Sequence, residues 1–224
     1  MRRFFNVNGD CKPGLHYMVD ITPKLNEIKK MIERGEYFTI NRARQYGKTT
    51  TLRALARFLK EEYSVISLDF QMMSYSSFKD ESAFVLAFAG ELLDIVSEIP
   101  KNIEQDLTLL ADDTTKDASL PALFKILCRW CRQAEKPVVL IIDEVDSASN
   151  NQVFIDFLAQ LRGYYINRDI KPSFQSVILA GVYDIKNIRQ MIQTNEVHKN
   201  NSPWNIAADF LVDMSFSVTE IAQA

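Results

Sequence analysis

The 224-residue chain reads as an α/β protein, a mainly parallel sheet covered by helices on both faces. Three observations predict this class. Apolar, β-branched runs alternate with stretches of helical periodicity along most of the chain, the pattern of strands joined by crossover helices. The run Val138-Val139-Leu140-Ile141-Ile142 lacks polar alternation, as expected of a central parallel strand buried on both faces. Gly47-Lys48-Thr49 falls between a strand-like run, Tyr37-Phe38-Thr39-Ile40, and a helical pattern. The length suits a single domain over residues 1–224, with an N-terminal arm and helix at 1–36 and a sheet core at 37–218. Such a chain buries a substantial core without disulfides or metals.

Composition narrows the class further. Hydrophobic residues make up 47 % and charged residues 25 %, and a net charge of -3 gives no whole-molecule field that would favour nucleic acid. Three cysteines, Cys11, Cys128 and Cys131, are an odd number, and no apolar leader precedes them, so a reducing, cytoplasmic setting is expected. No segment approaches the roughly 18 apolar residues of a membrane span.

In chain order, residues 1–19 show no sustained period and form an arm ending in His16-Tyr17-Met18-Val19-Asp20. Tyr17 or His16, upstream of the Gly-Lys-Thr turn, is a contact for a purine ring, or the two are a packed aromatic and a surface histidine. A helix follows, with Asp20 or Thr22 as its cap, Pro23 in its first turn, and Leu25, Ile28, Met31 and Ile32 on one face. After the turn, Leu52, Leu55, Ala56 and Leu59 form an apolar stripe, and Arg53, Arg57 and Lys60 a basic one that suits solvent or nucleic acid. Residues 63–70 read as a second strand, 77–98 as a helix stopped by Pro100, 112–117 as an exposed turn, and Leu120 to Trp130 as the next helix. Cys128 and Cys131 share that helix's apolar face with Leu123, Phe124 and Leu127, so the C-x-x-C spacing reads as two structural thiols. The apolar strand ends in Asp143-Glu144. Beyond it come a helix burying Val153, Phe154, Phe157, Leu158 and Leu161, with Arg162 and Arg168 toward its end, and a fourth strand over 176–184 ending in Tyr183 and Asp184. A polar loop at 195–205, a fifth strand at 208–216 and a helix starting near Thr219 complete the chain.

Two stretches carry chemistry. Gly-Lys-Thr at a strand-to-helix turn is the end of a phosphate-binding loop, where backbone N–H groups and the helix N-terminus face an anion, the lysine reaches the outer phosphates and the threonine hydroxyl meets magnesium. The general motif has a glycine five residues before Gly47, a position occupied here by Arg42. The second stretch is Asp143-Glu144. Adjacent carboxylates at a buried strand end are costly unless a cation or a solvated crevice is there, and ligands of open α/β sheets bind at that end. Asp143 is placed to hold magnesium through a coordinated water, and Glu144 to polarise an attacking water as general base. Asp146 is either a supporting acid or a helix cap. A helicase reading of Asp143-Glu144-Val145-Asp146 would require a second RecA-like domain, which is not visible, and transfer to a small molecule gives the paired acids no use.

Together, His16-Tyr-Met-Val-Asp20, Ile40-Asn-Arg-Ala-Arg-Gln-Tyr-Gly-Lys-Thr-Thr50, Ile141-Ile-Asp-Glu-Val-Asp146 and Ser202-Pro-Trp-Asn-Ile206 resemble the additional-strand, catalytic-glutamate branch of P-loop nucleotidases. More narrowly, they resemble the bacterial AAA-ATPase-like proteins related to archaeal-type and STAND ATPases. The resemblance implies a three-layer α/β/α core with five strands in the order 5-1-4-3-2. It also implies ATP and Mg²⁺ as cofactors, contacted by Arg44, Gln45, Tyr46, Gly47, Lys48, Thr49 and Thr50, with Thr49 and Asp143 toward the metal and Glu144 and Lys48 in catalysis. Arg42 fits that group's Arg-x-Arg-Gln-x-Gly-Lys pattern. A helical lid usually follows strand five in such ATPases and is expected to be absent from these residues. The activity implied is Mg-dependent ATP hydrolysis driving a conformational switch or motor on a macromolecular partner; the alternative is a nucleotide-binding regulatory module without turnover. Nucleic acid enters as a partner by family analogy only. Arg162 and Arg168 are either solvated or salt-bridged arginines or, in a homo-oligomer, ones that reach a neighbour's phosphate.

Overall fold

The computed structural model describes residues 3–6, 11–12, 14–43, 46–96, 99–112, 118–182 and 204–222. Helix α1 (Thr22–Glu33) leads into strand β1 (Phe38–Asn41), followed by α2 (Lys48–Leu59) and β2 (Ser64–Asp69). Helices α3 (Glu81–Ile95), α4 (Lys101–Ala111) and α5 (Leu120–Gln133) come next, then β3 (Val138–Asp143), α6 (Gln152–Ile166), β4 (Ser176–Gly181) and the short α7 (Val218–Ala222). All strand pairs are parallel, in the order β1-β4-β3-β2.

Strand alternation splits the core into two layers. From β3, Val138, Leu140 and Ile142 enter the layer built with α3, α4, α5 and α6, whereas Val139 and Ile141 enter the layer built with α1 and α2. Every residue of β3 is buried, which accounts for its unbroken apolar run. The larger layer is centred on phenylalanines. Phe70, Phe84, Phe88, Phe154 and Phe157 are each at most 1 % exposed and meet at ring-centroid distances of 5.2–6.4 Å, many edge to face.

Several boundaries differ from the sequence expectation. The helix expected over 77–98 starts only at Glu81, because Asp80 caps it by accepting from Ala83 N–H at 2.8 Å, and a single 3₁₀ turn (Tyr75–Phe78) precedes it. Helix α4 was not anticipated. It is a short amphipathic element that buries Ile103, Leu107 and Leu110, and its stability comes from packing rather than from local signals. Helix α1 has no side-chain cap, and Asp20 instead accepts from Thr22 N–H at 2.9 Å.

Four strands, not five, are present among the described residues. The expected fifth, 208–216, is extended and lies beside β1 but makes a single parallel bridge, Phe38 to Ala208, with Ala208 N–H donating to Tyr37 C=O at 2.8 Å. Val212 and Met214 are buried in the α1/α2 layer. Asp213, between them, accepts from the backbone N–H and the hydroxyl of Ser215, at 2.9 and 2.7 Å, which engages that N–H locally rather than in a ladder. Trp204 is fully buried; its indole N–H donates to Thr39 Oγ1 at 2.9 Å and its ring stacks on Tyr37. No helix among the described residues is long and apolar enough to cross a membrane.

Candidate functional site

Because all four strands are parallel, their C-terminal ends open on one rim, where ligands of open α/β sheets bind. From β1 the chain enters the Gly-Lys-Thr turn. Gly47 has φ 70° and precedes the first residue of α2, a left-handed conformation that costs a side chain roughly 1–2 kcal/mol and explains the glycine. Helix α2 therefore presents unpaired N–H groups at its start to the rim. Lys48 is buried at 7 % exposure and its ammonium lies over the turn, donating to the carbonyls of Arg42 at 2.9 Å and Ala43 at 3.4 Å.

The two chemical stretches meet directly. Thr49 Oγ1 donates to Asp143 Oδ2 at 2.7 Å, while Asp143 Oδ1 accepts from Glu144 N–H at 2.9 Å. Both carboxylate oxygens of Asp143, a residue 5 % exposed, are thus engaged. Glu144 follows with φ 51° and ψ 41°; among the described residues it is the one non-glycine with positive φ. Its carbonyl accepts from the hydroxyl and the N–H of Ser147, at 2.9 and 3.1 Å, which holds this unfavourable conformation. Strain of this kind collects at functional sites. Partial burial pushes the Glu144 carboxyl above its ordinary range, neighbouring Asp143 adds to the rise, and Lys48 opposes it.

Other anticipated residues distribute unevenly. Tyr46 is 64 % and Tyr17 40 % exposed. The N-terminal arm reaches the start of α2, where Cys11 N–H donates to Thr50 Oγ1 at 3.5 Å, while Tyr17 packs against Phe5 with ring centroids 4.9 Å apart. Arg44, Gln45, Tyr183 and Asp184 lie outside the described residues. Arg168 lies past the end of α6, donates to Gly35 C=O at 2.9 Å and stacks on Tyr165. These contacts tie it to the opposite end of β1 from the rim. Asp146 proves to cap a strand rather than a helix, since its carboxylate accepts from Val182 N–H at the end of β4. Sequence reasoning passed over Gly181, which that carboxylate overlies; a glycine closing an apolar strand was the signal available. Cys128 and Cys131 are free thiols in α5, and burial pushes the Cys131 thiol up to about 12, which leaves it protonated and unreactive.

Residues 16–223 match the model of one protein family, the AAA-like domain. The chain belongs to the AAA-like domain family. Membership places it among P-loop ATPases and carries nucleotide binding with it. No curated protein matches the chain. Among solved structures, this AAA-like domain is similar to the Walker-type ATPase of Pyrococcus abyssi, with 14 % identity, a TM-score of 0.51, and coverage of 84 % of this chain and 51 % of that one. It is also similar to the Aeropyrum pernix ORC1 protein, solved in complex with DNA, with 12 % identity, a TM-score of 0.47 and coverage of 74 % and 39 %. For Cdc6p of Pyrobaculum aerophilum the values are 15 %, 0.42, 77 % and 43 %. The likeness to the P. abyssi ATPase is one of fold, and the AAA-like domain spans about half the length of that protein.

Proposed function

We propose that the protein binds ATP with magnesium at the rim formed by the Gly-Lys-Thr turn and the end of β3, and hydrolyses it to drive a conformational switch acting on a macromolecular partner. The observation that carries this reading is the Thr49 Oγ1 to Asp143 Oδ2 contact at 2.7 Å. It joins residues far apart in sequence into one set of hard oxygen donors, the type that magnesium prefers. Thr49 and Asp143 would hold the ion, which when bound supplies charge neutralisation at the β- and γ-phosphates.

The protein's own groups divide the remaining work. Backbone N–H groups at the start of α2 bind phosphate oxygens. The Lys48 ammonium exchanges the Arg42 and Ala43 carbonyls for the more strongly accepting phosphate. Glu144, deprotonated, accepts a proton at a carboxylate oxygen from the attacking water. The raised pKa of its partly buried carboxyl supports this role, because a base is more effective as its pKa approaches the working pH. Tyr17 or Tyr46 would border the nucleoside.

Mg²⁺-dependent phosphate release from ATP, compared between wild type and Glu144→Gln, tests the proposal. Wild type should release phosphate and the variant should lose about 100-fold or more of that rate while still binding nucleotide. Equal release removes Glu144 from the chemistry. Binding without release in wild type would assign a regulatory nucleotide-binding module instead.

A further inference from the structure

The turn that carries Glu144 is anchored twice. From below, Val145 and Ala148 are fully buried in the larger core layer. From the side, Asp146 reaches across to β4: its carboxylate accepts from Val182 N–H and lies directly over Gly181. A Cβ at position 181 would come within 2.9 Å of Asp146 Oδ2 and 3.0 Å of Oδ1, so only glycine lets the carboxylate approach the strand this closely.

The same point of β4 also holds the phosphate loop. Gly181 is the register partner of Asn41, and its carbonyl accepts from Arg42 N–H at 3.2 Å. A continuous path therefore runs from the Glu144 turn through Asp146, Val182 and Gly181 to Arg42, and Arg42 C=O in turn accepts from the Lys48 ammonium. Every link is a hydrogen bond or a covalent bond. Glu144 and the start of the phosphate loop are thereby fixed to one β4 reference point.

We propose that Asp146 is a positioning residue: through Val182 N–H, over a glycine that leaves it room, it sets the placement of Glu144 relative to the phosphate loop. The inference rests on the reading of Glu144 as the base. It goes beyond that reading by assigning the alignment of the base to a neighbouring side chain that takes no step in the proposed chemistry. Since Val145 and Ala148 bury the turn independently, loss of the Asp146 carboxylate should shift the turn without unfolding the chain.

The test uses the full chain as wild type, Asp146→Ala, Asp146→Asn, Gly181→Ala and the double variant Asp146→Ala/Gly181→Ala. Phosphate-release kcat, fluorescent-ATP affinity, thermal midpoint and Val182 amide exchange are measured. Asp146→Ala should lower kcat by about 10- to 100-fold, the scale of a misplacement near 1 Å, with affinity changed less than about twofold and Val182 exchange accelerated. Asp146→Asn keeps an acceptor oxygen and should recover most of the rate and the protection. Gly181→Ala should imitate Asp146→Ala, and combining the two should cost little more than either alone, because the clash partner is gone. An unchanged kcat in Asp146→Ala overturns the proposal. So does a loss of kcat, affinity and thermal midpoint together without recovery in Asp146→Asn, since that describes a fold contact only. Wild type without turnover overturns the reading of Glu144 and the kinetic role with it. Val182 exchange equal in all variants overturns the contact itself.

Discussion

At the scale of single residues, the site is a set of local conflicts that hold because neighbouring groups enforce them. Glu144 occupies left-handed backbone without being glycine, and its carboxyl is raised by burial and by Asp143 beside it. A carboxyl raised on folding makes the native state bind a proton that the unfolded chain has already lost. Stability therefore falls as pH climbs from the ordinary glutamate value of 4.5 through the raised one. Glu144→Gln removes that loss and should raise the thermal midpoint at neutral pH. At a pH below the ordinary glutamate value the gain should vanish. A calorimetric scan of both proteins at the two pH values checks this, and a lower midpoint for the variant at neutral pH would contradict it.

At the scale of elements, the segment after Trp204 illustrates how polar side chains redirect an apolar strand pattern. Its alternation of buried Val212 and Met214 with exposed Leu211 and Asp213 is strand-like, yet it pairs with β1 at Ala208 alone. Further on, Ser217 and Glu220 form a reciprocal cap: Glu220 Oε2 accepts from Ser217 N–H at 2.7 Å and Ser217 Oγ from Glu220 N–H at 3.2 Å. Buried Lys24 of α1 binds this segment to the core, donating to Ser215 C=O, pairing with Glu220 at 3.7 Å and covering Phe216. The Ser217 and Ser215 hydrogen bonds hold the carboxyls of Glu220 and Asp213 below their ordinary values of 4.5 and 3.8. Lowered carboxyls contribute stability that is present above those ordinary values and lost as pH falls through the lowered ones. The amides of Ser215 and Ser217 should accordingly be protected from hydrogen exchange at neutral pH and lose that protection in acid, once both carboxyls are protonated, while β3 amides keep theirs. Equal protection at both pH values would contradict the cap.

At the scale of the whole molecule, two core layers meet across one parallel sheet, and the α3–α6 layer is closed by Trp204. Its indole fills the space beside Tyr37 and satisfies Thr39. Trp204→Ala should cost about 3–5 kcal/mol, the usual penalty for emptying an aromatic site, read as a lower denaturant midpoint. A change under about 1 kcal/mol would show that the layer closes without it. Much of this architecture was legible in the sequence, because a parallel strand buried on both faces reads as an unbroken apolar run and Gly-Lys-Thr marks a strand-to-helix turn. Thus β3, the start of α2 and the pairing of Thr49 with Asp143 could be anticipated. Features decided by tertiary contact could not. Helix α4 shows only three inward residues, and the segment after Ala208 makes no ladder with β1 despite its alternating pattern. The Asp146 carboxylate meets Gly181 across 35 positions of chain, a distance over which no periodicity speaks. The left-handed backbone of Glu144 likewise leaves no trace in residue type.

The account depends most on the rim being a Mg-nucleotide site, and Lys48 tests it most directly. Its ammonium is buried among loop carbonyls and makes no contact that holds the sheet together. In a titration with fluorescent ATP and Mg²⁺, wild type should bind saturably. Lys48→Ala should lose about 10- to 100-fold in affinity, the scale of a charge-assisted contact to phosphate, with an unchanged circular-dichroism spectrum. Equal affinity in the two folded proteins would contradict the account.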